Sequence, residues 1–224
     1  MLRGVLFDLD DTLVDHQSAA DAAVLAWAGE LGVGDEHVTV RWARISEVHY
    51  GRYQRRELSF AQQRRARVRE FVGADVSDRE ADALFAGYLE RYEAGWTVFD
   101  DAIPALRRVR AAGLTAAVFT NGDERHQRFK LSKLGLSDEI DILIASSGLP
   151  AGKPDPRAFA HALSRAGLTA GEALMVGDSL EKDVLGAIGA GLGAVLVDRY
   201  DRCLAAGVPR ISSLRELTVA GRER

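Results

Sequence analysis

The sequence predicts a doubly wound α/β fold, in which helices cover both faces of a parallel sheet, with a helical domain inserted after the first strand. From residue 114 onward, short apolar runs alternate with helical patterns. Such nearly continuous runs are typical of strands buried on both faces. Residues 16–95, by contrast, contain helical patterns and no convincing strand run. We therefore expect an α/β core domain formed by residues 1–15 and 96–224, and a helical insertion formed by residues 16–95.

Five apolar segments bounded by turn residues predict the strands of the core. They are GVLFDLD (4–10), LTAAVFTN (114–121), IDILIAS (140–146), EALMVGD (172–178) and GAVLVD (193–198). Helices are predicted over 101–113, 123–136, 155–168 and 179–192. In the third of these, Asp155 is a plausible N-cap, Pro156 suits the first helical position, and Gly167 follows the last turn. In the second, Phe129, Leu131 and Leu134 are expected to share an apolar face.

The insertion contains four helical patterns, at 18–32, 36–57, 59–73 and 77–96. Ser77 and Glu80 have the spacing of a capping box, which is predicted before the last of them. The arginines at positions 52, 55, 56, 64, 65, 67 and 69 favour a solvated helix face, because charge runs usually face water. The alternative is that one or two of them contact an anionic substrate.

Composition excludes several classes of protein. The chain has 224 residues and a net charge of −4, which gives no sign of nucleic-acid binding. No apolar run is long enough to span a membrane, and no signal peptide is evident at the N-terminus. The single cysteine, Cys203, predicts a reduced thiol in a cytoplasmic protein. Lysine is rare beside arginine and occurs only at positions 130, 133, 153 and 182, so a lysine in an unusual context is of interest.

A cluster of carboxylates ends the first predicted strand. Asp8 and Asp10 are two residues apart, so both side chains point to the same side of extended chain. Like charges this close need a cation between them, or a proton on one of them. Mg²⁺ is the natural candidate, whereas the lack of nearby His or Cys argues against zinc. A solvated, Asp-rich turn is the alternative, and Asp11 and Asp15 fit such a turn.

Polar residues also end three further strands, where ligands bind in open α/β sheets. Thr120, Asn121 and Gly122 can supply neutral donors to a phosphoryl oxygen, or form an ordinary strand-to-helix turn. Lys153 precedes a proline, which holds it on extended backbone, and its ammonium suits phosphate or the crowded carboxylates.

The fourth strand end adds two acidic residues. Asp178 can complete a metal site with the carboxylates of the first strand, and Asp183 can contact the metal ligands or Lys153. Ser179, between them, is best interpreted as a helix N-cap.

Together and in this order, these residues resemble the four motifs of the haloacid dehalogenase superfamily. The motif DxDx[TV] is Asp8-Leu9-Asp10-Asp11-Thr12. The second motif is the strand-ending Thr120, with Asn121 and Gly122. Lys153-Pro154 matches the third motif, and Gly177-Asp178 with Asp183 matches the fourth. Asp11 stands where many members have Gly, although Thr12 and Leu13 continue the pattern. The resemblance covers essentially the whole chain, since a helical cap domain after the first motif is also a family feature, and it implies a Rossmann-like core.

The resemblance implies a role for each motif residue. Asp8 would be the nucleophile that forms an aspartyl-phosphate, and Asp10 the general acid and base. Mg²⁺ would be held by Asp8, the backbone carbonyl of Asp10, and Asp178. Thr120, Asn121 and Lys153 would bind the transferring phosphoryl group of a small phosphate ester, and the cap would exclude bulk water.

Asp10 favours a phosphatase over a dehalogenase, because dehalogenases of this family lack this second aspartate and use no Mg²⁺. A phosphomutase of the same superfamily would keep every core residue and differ in the cap, so it stays open. A non-enzymatic phosphoacceptor or binding protein is a remote alternative. Neither the substrate nor the oligomeric state follows from the sequence.

Overall fold

The computed structural model describes residues 1–202 and 207–219. The chain divides into two compact units, one of residues 1–15 and 98–224 and one of residues 16–97. Cys203, whose side chain is predicted to be a reduced thiol, lies outside the described residues. That the second unit serves as a cap stays a prediction.

The first unit contains a six-stranded parallel sheet, so the predicted fold class is confirmed. The strands follow the order β3-β2-β1-β4-β5-β6, and every neighbouring pair is parallel. The strand bounds are β1 Gly4–Phe7, β2 Thr115–Thr120, β3 Ile142–Ala145, β4 Ala173–Gly177, β5 Gly193–Val197 and β6 Arg210–Ile211. The first five match the predicted segments, while β6, only two residues long, has no signal in the sequence. Because the order reverses at β1, the carboxyl ends of β1 and β4 form the crevice where this fold binds ligands.

Both faces of the sheet are covered, as the apolar runs predict. Successive side chains of β1 enter opposite clusters: Val5 and Phe7 pack in one, and Leu6 packs in the other. All three are fully buried. A strand with two buried faces can expose polar groups only at its ends, so the polar residues gather at the carboxyl edge of the sheet.

Helices of the first unit agree with the predicted ones, with one error. Their bounds are α5 Ala102–Ala111, α6 Glu124–Lys133, α7 Pro156–Ala166, a segment of wide π-type turns at Leu180–Leu185, and α8 Gly186–Gly189. Asp155 caps α7 by accepting a hydrogen bond from the Arg157 amide, and Gly167 ends it at φ 66°, as predicted. The predicted apolar face of α6 is wrong at Phe129, whose side chain is 47% exposed. Gln127 and Lys130 are buried on that helix instead.

The second unit is a group of four helices, as predicted. Their bounds are α1 His16–Glu30, α2 Val38–Gln54, α3 Phe60–Val72 and α4 Asp78–Ala94. The Ser77–Glu80 capping box of α4 is confirmed. Trp27 stacks on Phe71 with ring centroids 4.8 Å apart and forms the centre of an aromatic core.

Most of the arginines in this unit pair with carboxylates of the same unit. Arg65 contacts Asp82 and Arg69 contacts Asp78, and Arg52 and Arg55 both contact Glu57. These pairs agree with the predicted solvated face, but the prediction is wrong at Arg67. Burial lowers the pKa of the Arg67 guanidinium, which lies over the Trp42 ring at 4.4 Å from its centroid. Within residues 1–202 and 207–219, no helix is both long enough and apolar enough to cross a membrane.

Candidate active site

Asp8 lies directly after β1, where the strand leaves the sheet. Its amide donates to the carbonyl of Val176 in β4 at 2.9 Å, so the residue is still held by the sheet. The next residues turn back at once, since the amides of Leu13 and Val14 both donate to the carbonyl of Leu9. Asp11 completes this turn with φ 64°. The glycine common at this position is thereby explained, because positive φ favours glycine and is tolerated by Asp.

Lys153 is the cation closest to Asp8. The residue is 3% exposed, and its Nζ donates to Asp8 Oδ1 at 2.6 Å, Asp183 Oδ1 at 2.6 Å and the Phe119 carbonyl at 2.8 Å. These three acceptors satisfy the three protons of an ammonium. Burial alone would lower the pKa of Lys153, but the charges of Asp183 and Asp8 outweigh it and raise the pKa. Lys153 is therefore a fixed positive charge beside Asp8.

Asn121 holds the backbone of Lys153. Its side-chain nitrogen donates to the Lys153 carbonyl at 2.7 Å, and its Oδ1 accepts from the Lys153 amide at 2.7 Å. Gly152 makes room for this pairing, since a Cβ there would lie 2.8 Å from Asn121 Oδ1. The resemblance implies that Asn121 helps to bind phosphate, which stays a prediction. In the structure, both ends of its side-chain amide contact the segment that carries Lys153.

Asp8, Asp178 and Asp183 form a cluster that could hold a metal ion. One oxygen of each carboxylate lies within 4.8 Å of the others. Burial raises the pKa of Asp8 to about 7; the charges of Asp183 and Asp10 add to this and Lys153 opposes it. Asp178 is exposed to solvent, but the atoms packed around its carboxylate desolvate it and, with the charge of Asp8, raise its pKa well above the usual value.

This donor set fits a hard divalent cation. Its ligands are carboxylate oxygens without nitrogen or sulfur, which suits Mg²⁺ and not zinc. A divalent cation would also stabilise the charged carboxylates, which burial and then mutual repulsion disfavour. Asp183 is positioned both by Lys153 and by the Ser179 amide, which donates to its Oδ2 at 3.0 Å. Ser179 also caps the following helical segment, as the sequence predicts.

Asp10 is held by two residues that the sequence analysis missed. Lys130 Nζ donates to Asp10 Oδ1 at 2.5 Å, and Gln127 Nε2 donates to Asp10 Oδ2 at 3.2 Å. Gln127 Nε2 also donates to Thr120 Oγ1 at 3.2 Å. Each carboxylate of the Asp8–Asp10 pair thus has its own buried lysine. The scarcity of lysine in the sequence was the one signal that pointed to Lys130.

The structure therefore places every predicted site residue at the carboxyl edge of the sheet. Asp8, Lys153 and Asp183 are in direct contact, and Asp178 lies within the same carboxylate cluster. Thr120 joins Asp10 through Gln127. The Asp10 carboxylate is held by Lys130 and Gln127, and the contact of its backbone carbonyl with a metal stays a prediction.

Comparison with known proteins identifies the family. The family model of haloacid dehalogenase-like hydrolases matches residues 2–191. The chain is 34% identical to the ribulose-1,5-bisphosphate 5-phosphatase of Halopiger xanaduensis, over 88% of this chain and 85% of that protein. It is 30% identical to the glyceraldehyde 3-phosphate phosphatase of Methanopyrus kandleri, over 89% and 85%.

Among solved structures, the chain is similar to the magnesium-bound hydrolase YfnB of Bacillus subtilis. The TM-score is 0.81, with 21% identity over 96% of each chain, a level of identity that shows the fold alone. The family model and the two relatives cover most of the sequence, and the four motifs occur at the strand ends described above. The protein is an enzyme that belongs to the haloacid dehalogenase-like hydrolase family.

Proposed function

We propose that the protein is a Mg²⁺-dependent phosphatase that hydrolyses a small phosphorylated metabolite through an aspartyl-phosphate on Asp8. The observation that carries the proposal is the pair of carboxylates after β1. Asp8 belongs to an oxygen-only cluster suited to Mg²⁺, and Asp10 is fixed two residues away by its own lysine. The named phosphatases among the relatives support this activity.

Asp8 is the nucleophile in this proposal. Its carboxylate attacks phosphorus, the bond from phosphorus to the ester oxygen breaks, and an acyl-phosphate forms. Asp8 is suited to this because Lys153 and the sheet amide hydrogen bond fix its position. An ordered nucleophile removes much of the entropic cost of reaching the transition state.

Asp10 moves the protons. In its protonated form it acts as general acid and donates its proton to the leaving alkoxide. The carboxylate that results acts as general base and regains a proton from the water that attacks the acyl-phosphate. The second attack releases inorganic phosphate and restores the Asp8 carboxylate. A dehalogenase needs no proton for a leaving halide, so a second, fixed carboxylate favours phosphate-ester hydrolysis.

Thr120 and Lys153 bind the phosphoryl group in the proposal. The Thr120 hydroxyl accepts from Gln127, so its own proton is directed elsewhere and can reach a phosphoryl oxygen. Lys153 adds a positive charge beside the nucleophile. Asn121 acts by holding the Lys153 backbone. Asp8, Asp178 and the Asp10 carbonyl would hold Mg²⁺, which supplies charge neutralisation between the anionic nucleophile and the phosphate.

The first prediction tests this function on a panel of phosphorylated metabolites assayed for phosphate release. We expect turnover with Mg²⁺, loss with EDTA, and recovery when Mg²⁺ is added back. Asp8→Asn should lower kcat by at least about 10⁴-fold, since it removes the nucleophile.

Exposed Asp138→Asn serves as the matched control and should retain activity. Substantial turnover by Asp8→Asn would contradict the mechanism. Isomerisation of a sugar phosphate without release of phosphate would instead indicate a phosphomutase. Release of halide from a 2-haloacid would indicate a dehalogenase.

A further inference from the structure

We infer that Lys130 and Gln127 are positioning residues for Asp10, and that Gln127 couples Asp10 to the phosphate-binding Thr120. This inference rests on the proposed role of Asp10 as general acid and base. It assigns a function to the buried face of α6, which the four motifs do not include.

Lys130 is unusual for its burial. It is 1% exposed and is among the largest fully buried side chains of the described residues. Lysine is almost never fully buried unless it is paired, and here the pairing includes Asp10 Oδ1 at 2.5 Å. Lys133, one turn later on the same helix, is exposed. A chain that otherwise prefers arginine thus uses lysine where a compact ammonium must reach one carboxylate oxygen.

Gln127 donates the second hydrogen bond to the Asp10 carboxylate. Residues three apart on a helix share a face, so Gln127 and Lys130 approach Asp10 from the same side. A carboxylate only accepts hydrogen bonds, so the amide nitrogen of Gln127 must face Asp10 Oδ2. Its second proton is donated to Thr120 Oγ1. The two oxygens of Asp10 therefore have separate donors, which fixes both the position and the plane of the carboxylate.

Gly122 makes the approach of Gln127 possible. A Cβ at Gly122 would lie 2.5 Å from Gln127 Nε2 and 2.7 Å from its Cγ. Contacts below 3.0 Å require one of the two side chains to shift. Gln127 is 4% exposed, so its side chain is packed among other atoms and has no open solvent to turn into. The glycine of the second motif thus has a specific steric role, because any side chain there would displace Gln127.

The consequence is a defined geometry for proton transfer. Proton transfer depends on a heavy-atom distance of about 2.6–3.2 Å, and a displacement of about 1 Å can cost about 100-fold in rate. If Asp10 is less firmly positioned, the reaction rate should fall most for substrates whose leaving group must be protonated. Alkyl phosphates, whose alkoxide leaves poorly, need it most, and 2,4-dinitrophenyl phosphate needs it least.

The test compares kcat/KM for these two kinds of substrate in Lys130→Met, with Lys133→Met as the matched control. We expect Lys130→Met to lower kcat/KM for an alkyl phosphate by about 10- to 100-fold and for 2,4-dinitrophenyl phosphate by less than about threefold. KM should change little, and Lys133→Met should behave as wild type. Equal losses on both substrates would mean a general structural role and would overturn the inference.

A second variant covers the case in which Lys130→Met fails to fold. Gly122→Ala removes no polar group from the protein but displaces the Gln127 side chain, so it should show the same dependence on the leaving group. Equal losses on the two substrates in Gly122→Ala would also overturn the inference. If the wild-type protein releases no phosphate from any monoester, the proposed function itself fails. If the wild-type protein is active but the loss in Lys130→Met does not depend on the leaving group, only this inference fails.

Discussion

At the scale of single residues, the backbone of Asp11 shows how the first motif tolerates variation. Its φ of 64° lies in the left-handed region, and its amide donates to the Val14 carbonyl at 2.7 Å. Asp and Asn enter this region more readily than other residues with a Cβ, and β-branched residues do so least. The constraint at this position is thus on the backbone conformation, and it applies whatever the charge of the side chain.

The second prediction follows from this conformation. Asp11→Val should lower the free energy of unfolding by about 1–2 kcal/mol, because a β-branched residue is strained at positive φ. Asp11→Asn and Asp11→Gly should change it by less than about 1 kcal/mol. Urea denaturation measures all three. If Asp11→Val were as stable as Asp11→Asn, the turn would not impose the left-handed conformation.

At the scale of elements, the end of β4 and the helical segment that follows it approach closely. A Cβ at Gly177 would lie 2.3 Å from Asp183 Oδ2. Asp183 cannot move away freely, because Lys153 and the Ser179 amide both hold it. The absence of a side chain at Gly177 is therefore what lets Asp183 turn back toward the strand end.

The third prediction concerns this close approach. Gly177→Ala should cost about 1–3 kcal/mol of stability, as overpacking of a buried site does, and should abolish most of the phosphatase activity. Gly171→Ala is the matched control, since nothing lies within 4 Å of a Cβ there. Thermal unfolding and phosphate release are measured on both. A fully active Gly177→Ala would contradict the position given to Asp183.

At the scale of the first unit as a whole, a buried ion pair ties the last described segment to the start of the chain. Asp101, 1% exposed, accepts from both terminal nitrogens of Arg199, each at 2.8 Å, from Ser213 Oγ and from the Leu214 amide. Arg199 also donates to the Thr12 carbonyl at 2.7 Å, in the loop that follows Asp10. The C-terminal segment thereby supports the loop of the first motif.

The fourth prediction uses the pKa of Asp101. Burial acts to raise this pKa, but the hydrogen bonds from Arg199 and Ser213 outweigh it, so the pKa is lowered. The ion pair therefore stabilises the fold above the unfolded pKa of about 3.9 and is lost as pH falls through the lower folded value. Asp101→Asn should cost about 3 kcal/mol at pH 7, and this difference from wild type should shrink below pH 4.

The neighbouring Asp100 provides the control. Its side chain is 83% exposed, and it pairs with an exposed Arg215. Asp100→Asn should change stability by less than about 1 kcal/mol at any pH. Urea denaturation at several pH values measures both variants. A difference between wild type and Asp101→Asn that stays constant from pH 7 to pH 3 would refute the assigned cause.

The strands and the four motifs could be predicted because they depend on local patterns. An apolar run marks each strand, and parallel strands bring their carboxyl ends to one edge, so Asp8, Thr120, Lys153 and Asp178 were expected to gather there. The face of α6 could not be predicted in this way. An argument from helical periodicity assumes that lysine is exposed, so it predicts that Phe129 lies on the buried face of α6. In the structure Lys130 is buried there instead.

The sequence also does not show which residues far apart in the chain form ion pairs or hydrogen bonds. Nothing in the sequence pairs Asp101 with Arg199 among so many arginines. The amide of Asn121 suits a phosphate or a backbone equally well, and only the structure shows that it contacts Lys153. Local patterns identify elements and chemical types, whereas the choice of partner depends on packing.

The parallel order of the sheet has a consequence for how the site forms during folding. β1 pairs only with β2 and β4, so Phe7 meets Val118 and Val176. Residues 16–97 lengthen the chain between β1 and β2 roughly fourfold, which adds only about 1 kcal/mol of loop-closure entropy. Contacts so distant in sequence form slowly, and a chain emerging from the ribosome holds Asp8 without Lys153 or Asp178 until most of it has been made. The acidic cluster of Asp8 and Asp178 is therefore assembled only when β4 pairs with β1.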